Sequence, residues 1–124
     1  GILLITHDLG IVARMAHRVS VMYAGRVVES GPAAELFGTP THPYTHGLLE
    51  CVPVPGKVAR GAPLGSIPGT VPKIGPGYVG CAFRERCSQA MAVCATAVPA
   101  QEREPGHRYE CHLPAEWTAQ VAAA

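Results

Sequence analysis

Four of the five cysteines fall late in the chain, as Cys81, Cys87, Cys94 and Cys111, separated by five, six and sixteen residues. Thiolates are strong ligands for zinc and for iron–sulfur clusters, and a bound metal can replace a core that a short segment cannot build. No C-x-x-C pair occurs, which weakens a zinc-ribbon reading, whereas an iron–sulfur cube is larger and accepts ligands from separated loops. Two readings without metal stand beside these: reduced cysteines buried as small hydrophobes, and a pair of disulfides, which a reducing compartment disfavours. Arg84, Arg86, His107, Arg108 and His112 lie beside the cysteines in sequence and could offset thiolate charge or donate to sulfur. Cys51 falls on the apolar side of a helical pattern and reads as core.

His7 is the second candidate. It follows Ile2-Leu3-Leu4-Ile5, a continuous apolar run that reads as a strand buried on both faces and opening into Thr6-His7-Asp8. Open parallel sheets gather ligands at the carboxyl ends of their strands, where a neutral imidazole could donate an N–H to a phosphate oxygen. The plainer alternative is a strand-end histidine that satisfies a loop carbonyl. A phosphate-binding loop is excluded: Lys57 follows Gly56, but Val58 stands at the Ser/Thr position and Cys51 at the first Gly position, and Lys73 is flanked by Pro72 and Ile74. The chain alone is therefore not expected to hydrolyse ATP. A cysteine hydrolase is weaker still, because no nucleophile motif and no orienting carboxylate can be singled out. His42 and His46 have a metal-compatible spacing but no evident third ligand, and read as a surface pair. Tyr44 and Leu48 read as packing residues, and Lys57, Arg60 and Lys73 as solvated charges.

The elements that must position these side chains can be traced along the chain. Asp8 or Thr6 can cap a helix in which Leu9, Val12, Ala13 and Ala16 share one face. Val19–Tyr23 and Val27–Glu29 form a hairpin through Ala24-Gly25-Arg26. Ser30-Gly31-Pro32 then reads as a turn into a short helix from Pro32 to Phe37, closed by Gly38. Another helix begins at Pro43, with Tyr44, Leu48 and Cys51 on one side, and stops before Pro53. From Pro53 to Gly80, 13 of 28 residues are Gly or Pro, so neither helix nor regular sheet is expected and the segment reads as a strap. An apolar patch around Trp117 and a fraying alanine tail close the chain. The expected division is 1–52 as an α/β part, 53–80 as the strap and 81–124 as a Cys-rich extension.

At 124 residues and 13.0 kDa the chain is one domain or a piece of one. Hydrophobic residues at 48% against 15% charged mark a chain that folds, and a net charge of +1 is too small for the footprint that nucleic-acid backbones demand. No apolar run approaches the roughly 20 residues of a membrane span and no leader is visible, so a soluble chain is expected. Gly1 leads directly into the apolar run, which reads as a fragment lacking its front half.

Leu4-Ile5-Thr6-His7-Asp8-Leu9, then Val19–Tyr23 and Gly25-Arg26-Val27-Val28-Glu29-Ser30-Gly31-Pro32, resemble the stretch after the Walker B motif in ATP-binding subunits of ABC transporters. His42-Pro43-Tyr44-Thr45, Ile67–Pro72, Gly80–Phe83, Arg86-Cys87, Cys94, Pro105–His107 and Cys111-His112 resemble the C-terminal extension of oligopeptide and dipeptide import ATPases. The resemblance implies the C-terminal part of an α/β ABC ATPase domain followed by the strap and the Cys-rich extension. It makes His7 the H-loop histidine that contacts the γ-phosphate of ATP bound with Mg, held mainly by residues outside this chain. It also implies a [4Fe–4S] cluster on Cys81, Cys87, Cys94 and Cys111 in preference to zinc. The implied partners are a second ATP-binding subunit and transmembrane permease subunits, and the implied place is the cytoplasmic side of the inner membrane, as a peripheral protein. Walker A, signature and catalytic-glutamate motifs are missing, so any activity belongs to a longer parent. The alternative is a small metal-binding interaction module without nucleotide chemistry.

Overall fold

Ala24 and Gly25 both take positive φ, 48° and 79°, as a two-residue hairpin turn requires when its twist is to match that of the flanking strands. They join β1 (Arg18–Tyr23) to β2 (Arg26–Pro32), an antiparallel pair in which Val21 lies opposite Glu29 but Met22 lies opposite Val27. Val28 is thus one residue too many on β2. The resulting bulge breaks the in–out alternation, so Val28 and Glu29 are both buried although adjacent. The hairpin is as expected, but β2 runs on through Ser30-Gly31-Pro32, which the sequence marks as a turn. A partner on the far side holds it: Glu29 and Ser30 pair with Tyr109 and Arg108.

That partner belongs to a second hairpin, β3 (Ala100–Glu104) and β4 (His107–Glu110), which turns at Pro105-Gly106 and completes a four-stranded antiparallel sheet of order β1-β2-β4-β3. The two strands carry few apolar side chains, so their alternation is invisible to a hydrophobicity reading. The structure describes residues 1–52 and 65–117; the remainder of the expected strap, 53–64, and the alanine tail, 118–124, lie outside the described residues.

Three short helices flank the sheet. Asp8 caps α1 (Leu9–Met15) by accepting from the Ile11 N–H at 3.0 Å, as its residue type favours. Ala33–Gly38 forms α2, with Leu36 buried, and α3 (Pro43–Glu50) starts with Pro at its first position. Tyr44 and Leu48 on α3 pack against the core formed by Val21, Tyr23, Val28, Leu36, Ala82 and Phe83. Cys51 does not join them; it is half-buried at the helix C-cap. Between 65 and 80 there is neither helix nor strand. Arg86 fastens this stretch, donating from Nε to the Pro68 carbonyl and from Nη2 to the Ile67 carbonyl, both at 2.7 Å.

The front of the chain also departs from expectation. Ile2–Ile5 is not a buried strand but an exposed extended segment, with Ile2 95% and Ile5 90% accessible. A strand exists only through its ladder, and among the described residues nothing pairs with this one. α1 likewise has no fully buried residue, although Leu9, Val12 and Ala16 on its apolar face are half-buried. No helix among the described residues is long and apolar enough to cross a membrane.

Candidate functional site

The four late cysteines converge. Cys81, Cys87, Cys94 and Cys111 line one small cavity together with His42, Phe83, Arg84 and His112. Two short 3₁₀ turns, Arg84–Arg86 and Ala92–Ala95, fold the cysteine segment back on itself, and the Cys81 N–H donates to the Cys94 carbonyl at 2.8 Å. Gly80 makes that crossing possible: it takes φ of 94°, and a Cβ there would stand 2.6 Å from the Cys94 oxygen. Phe83 anchors the segment to the hairpin, packing edge-on to Tyr23 at 5.2 Å and tilted against Tyr44 at 5.3 Å.

The sulfurs sit among backbone donors. The Met91 N–H donates to Cys94 Sγ and the Leu113 N–H to Cys111 Sγ, each at 3.5 Å. Burial pushes the Cys81 and Cys87 thiols up, with the backbone N–H groups of Phe83 and of Gln89 respectively pulling back in part. Burial also raises Cys111, to about 11, opposed by the Leu113 backbone and reinforced by the three other cysteines facing it. All five cysteines are free thiols. Without a cation the Cys81, Cys87 and Cys111 thiols stay protonated at neutral pH. With one they would ionise, since a coordinated thiol loses its proton.

Fit to a metal is selective. Among the described residues no group of three or more ligating side chains stands close enough to hold a single metal ion. Four sulfurs on one zinc would sit about 3.8 Å apart, given tetrahedral bonds of about 2.3 Å. A cube takes one cysteine at each of four separated corners, and N–H donors to sulfur are among the features that set its potential. The four thiols thus share one cavity without being drawn around a common centre. The enclosed space is about 10 Å³, room for about one water, so a cluster requires the cysteine loops to part.

His42 is the residue that the spacing argument misplaced. It is not on the surface: 1% of it is accessible, and burial lowers its pKa to about 4, with the Glu110 backbone opposing in part. Its Nδ1 accepts the Tyr44 N–H at 3.1 Å, so the neutral ring carries its proton on Nε2, which is buried without a partner. His46 lies elsewhere, 3.6 Å from Glu50 and beside the Trp117 ring. His112 also leaves a buried Nε2 without a partner.

Glu29 holds His42 in place. Its carboxylate accepts the Thr41 N–H at 2.7 Å, the His42 N–H at 2.9 Å and His107 Nε2 at 2.7 Å, in a site closed to solvent. Trp117 Nε1 adds a hydrogen bond to the Thr41 carbonyl. A buried acid needs such company, because an unpaired buried charge is expensive. The one legible signal for this network was an acid inside a β-rich run.

Of the cationic residues beside the cysteines, Arg84 and His112 line the cavity, and Arg84 also lies over the Tyr78 ring at 5.1 Å. The others turn away: Arg86 to the carbonyls of 67 and 68, His107 to Glu29, and exposed Arg108 towards Glu102. His7 lies far along the chain from this cavity, exposed just before the α1 cap, with no hydrogen bond among the described residues.

Residues 28–94 match the family of the oligopeptide/dipeptide transporter C-terminal region, which takes in His42 and three of the four late cysteines. The chain belongs to that family. It is 52% identical over 103 residues to a protein of Brucella ovis named as a peptide import ATP-binding protein, covering 80% of this chain and 30% of that one. A peptide ABC transporter ATP-binding protein of Sinorhizobium fredii is 47% identical over 90% of this chain and 33% of its own length. An oligopeptide transport ATP-binding protein of Salmonella typhimurium is 44% identical over 94% of this chain and 34% of its own. The chain thus spans about a third of the length of the curated relatives it matches.

Proposed function

We propose that the chain is the C-terminal part of the ATP-binding subunit of an ABC importer for oligopeptides or dipeptides. The observation that carries this is the match of residues 28–94 to the transporter family, together with relatives named as peptide import ATP-binding proteins. In this reading 1–52 completes the ATPase domain, 53–80 is the Gly/Pro-rich strap that follows it in sequence, and 81–124 is a Cys-rich extension whose β4 shares the sheet. The parent binds ATP with Mg, works with a second ATP-binding subunit and with permease subunits, and sits peripherally on the cytoplasmic side of the inner membrane. The exposed Ile2–Ile5 segment, with Ile11 and Met15 exposed on α1, supports a larger parent, because apolar surface of this kind is normally covered.

His7 acts at the γ-phosphate. Its exposed ring stands between the extended segment and the capped start of α1, where Asp8 fixes the backbone and leaves the imidazole available to donate. An N–H donated to a terminal phosphate oxygen is stronger once charge gathers there during transfer.

Cys81, Cys87, Cys94 and Cys111 hold a [4Fe–4S] cluster. Its chemistry there would be that of a one-electron centre and a cross-link, closing the loop from 81 to 111. The shared cavity and the N–H donors on sulfur support this; the relatives' names are silent on it. A metal-binding module without nucleotide chemistry finds no support in those names either.

Peptide uptake tests the reading. Cells deleted for the parent gene are expected to lose accumulation of labelled di- and oligopeptides and to regain it on complementation. Undiminished uptake of every peptide length contradicts the assignment.

A further inference from the structure

Cys81 and Cys94 meet through their backbones. The Cys81 N–H donates to the Cys94 carbonyl at 2.8 Å, and among the described residues no other two cysteines are hydrogen-bonded to each other through the main chain. A bond of this kind holds the two Cα atoms about 5–6 Å apart, as in a hydrogen-bonded strand pair, within the roughly 4.4–6.8 Å that a disulfide bridges. The approach is built into the chain: Gly80 takes a φ closed to most side chains, and so brings the next residue against Cys94. Both side chains line the same cavity, and both thiols are free. The cavity, at about 10 Å³, has no room for a bulky group, and among the described residues no three ligating side chains surround a common centre. A disulfide needs neither, since it joins two sulfurs and adds no atom.

We propose that Cys81 and Cys94 are a reversible redox pair, which closes to a disulfide in the metal-free protein by exchange with a low-molecular-weight disulfide. Cys81 is half-buried and Cys94 buried, so the small disulfide reaches Cys81 first. The Cys81 sulfur, having lost its proton, bonds one sulfur of the reagent, and the other half leaves and takes up a proton as a thiol. Cys94 then loses its proton and attacks the Cys81 sulfur, and the second half departs in the same way. Two protein thiols are oxidised to one disulfide while one small disulfide is reduced to two thiols. In a reducing compartment the pair rests as a dithiol, and an oxidising shift closes it.

The bridge fastens both ends of the segment 81–94, which carries Cys87 and the Arg84–Arg86 turn, so the loops it ties cannot part to admit a cluster. The inference concerns the metal-free thiols and does not rest on the cluster reading above; oxidised and metal-loaded forms exclude one another.

Full-length protein, stripped of metal by a chelator under reducing conditions, is equilibrated with graded mixtures of reduced and oxidised glutathione, both native and in urea. Remaining thiols are alkylated, and disulfide-linked peptides are quantified by mass spectrometry. In the native protein the Cys81–Cys94 link is expected to be at least tenfold more abundant than any other pairing and to be reversed by dithiothreitol, with that preference lost in urea. Cys94→Ser should halt Cys81 as a mixed disulfide with glutathione, whereas Cys87→Ser should still form the bridge.

Comparable amounts of Cys81 linked to Cys87 or to Cys111, or the same distribution in native and urea-unfolded protein, overturns the pair. A native protein that stays fully reduced at every ratio that oxidises the unfolded one overturns it too. Iron and acid-labile sulfide are measured separately in protein purified without oxygen; their absence removes the cluster reading and leaves the pair standing.

Discussion

His107 Nε2 stands 2.7 Å from Glu29 Oε1, a hydrogen bond between residues 78 apart in sequence and both closed to solvent. Gly31, beside Glu29 on β2, makes room for it, since a Cβ there would come within 3.1 Å of the His107 ring. The pair joins the two hairpins, and through the Thr41 and His42 N–H groups it also fixes the start of α3. Glu29→Ala should cost about 3–5 kcal/mol, the usual penalty for breaking a buried pair, because it strands three donors at once. Exposed Glu85→Gln should change stability by less than about 0.5 kcal/mol. Urea unfolding of both variants checks this, and a Glu29→Ala cost below about 1 kcal/mol would show that the network is ornamental.

The crossing at Gly80 makes a sharper claim about the cysteine cavity. Gly80→Ala must relieve contacts of 2.6 Å to the Cys94 oxygen and 2.9 Å to the Ala95 carbonyl carbon while holding φ at 94°. Loss of at least about 2 kcal/mol is expected, from left-handed strain and a backbone clash together. Gly25→Asn, with φ of 79° but open space around it, should cost little. Comparable midpoints for the two variants would contradict the close approach of 80 and 94.

The metal-free protein should lose stability at both ends of the pH scale. His42 titrates near 4 when folded against 6.5 unfolded, so its contribution is complete above 6.5 and is lost as pH falls through 4. Cys111 is raised from 9.0 to about 11, so the folded state holds its proton longer and stability drops as pH rises from about 9 through 11. Denaturant midpoints of chelator-treated protein across pH 4–11 should form a dome. His42→Asn should flatten its acid limb; an unaltered acid limb would show that another group governs it.

Much of the fold could be read from residue order. Ala24-Gly25 gave away the first hairpin, Asp8 the cap of α1, and Pro43 the start of α3, because each relies on local backbone chemistry. The second hairpin could not be read from apolar periodicity: Gln101, Glu102, Arg103 and Glu104 carry none, and Pro105-Gly106 was its only local mark. Glu29 was hidden by the bulge at Val28, which turns an apparently outward residue inward. The convergence of the cysteines was legible in their number, while the burial of His42 beside them depends on contacts 13 residues away, at Glu29. Ile2–Ile5 shows the reverse failure: its apolar run fits a central strand, but pairing partners are what make a strand.

The assignment to a peptide-import ATPase bears most directly on His7. In the full-length subunit assembled with its permease, ATP hydrolysis is measured with the native residue and with His7→Ala. Turnover is expected to fall at least about 100-fold while nucleotide binding stays within a few-fold, as for removal of a group that acts on charge in the transition state. Unchanged turnover in His7→Ala would contradict its place at the γ-phosphate.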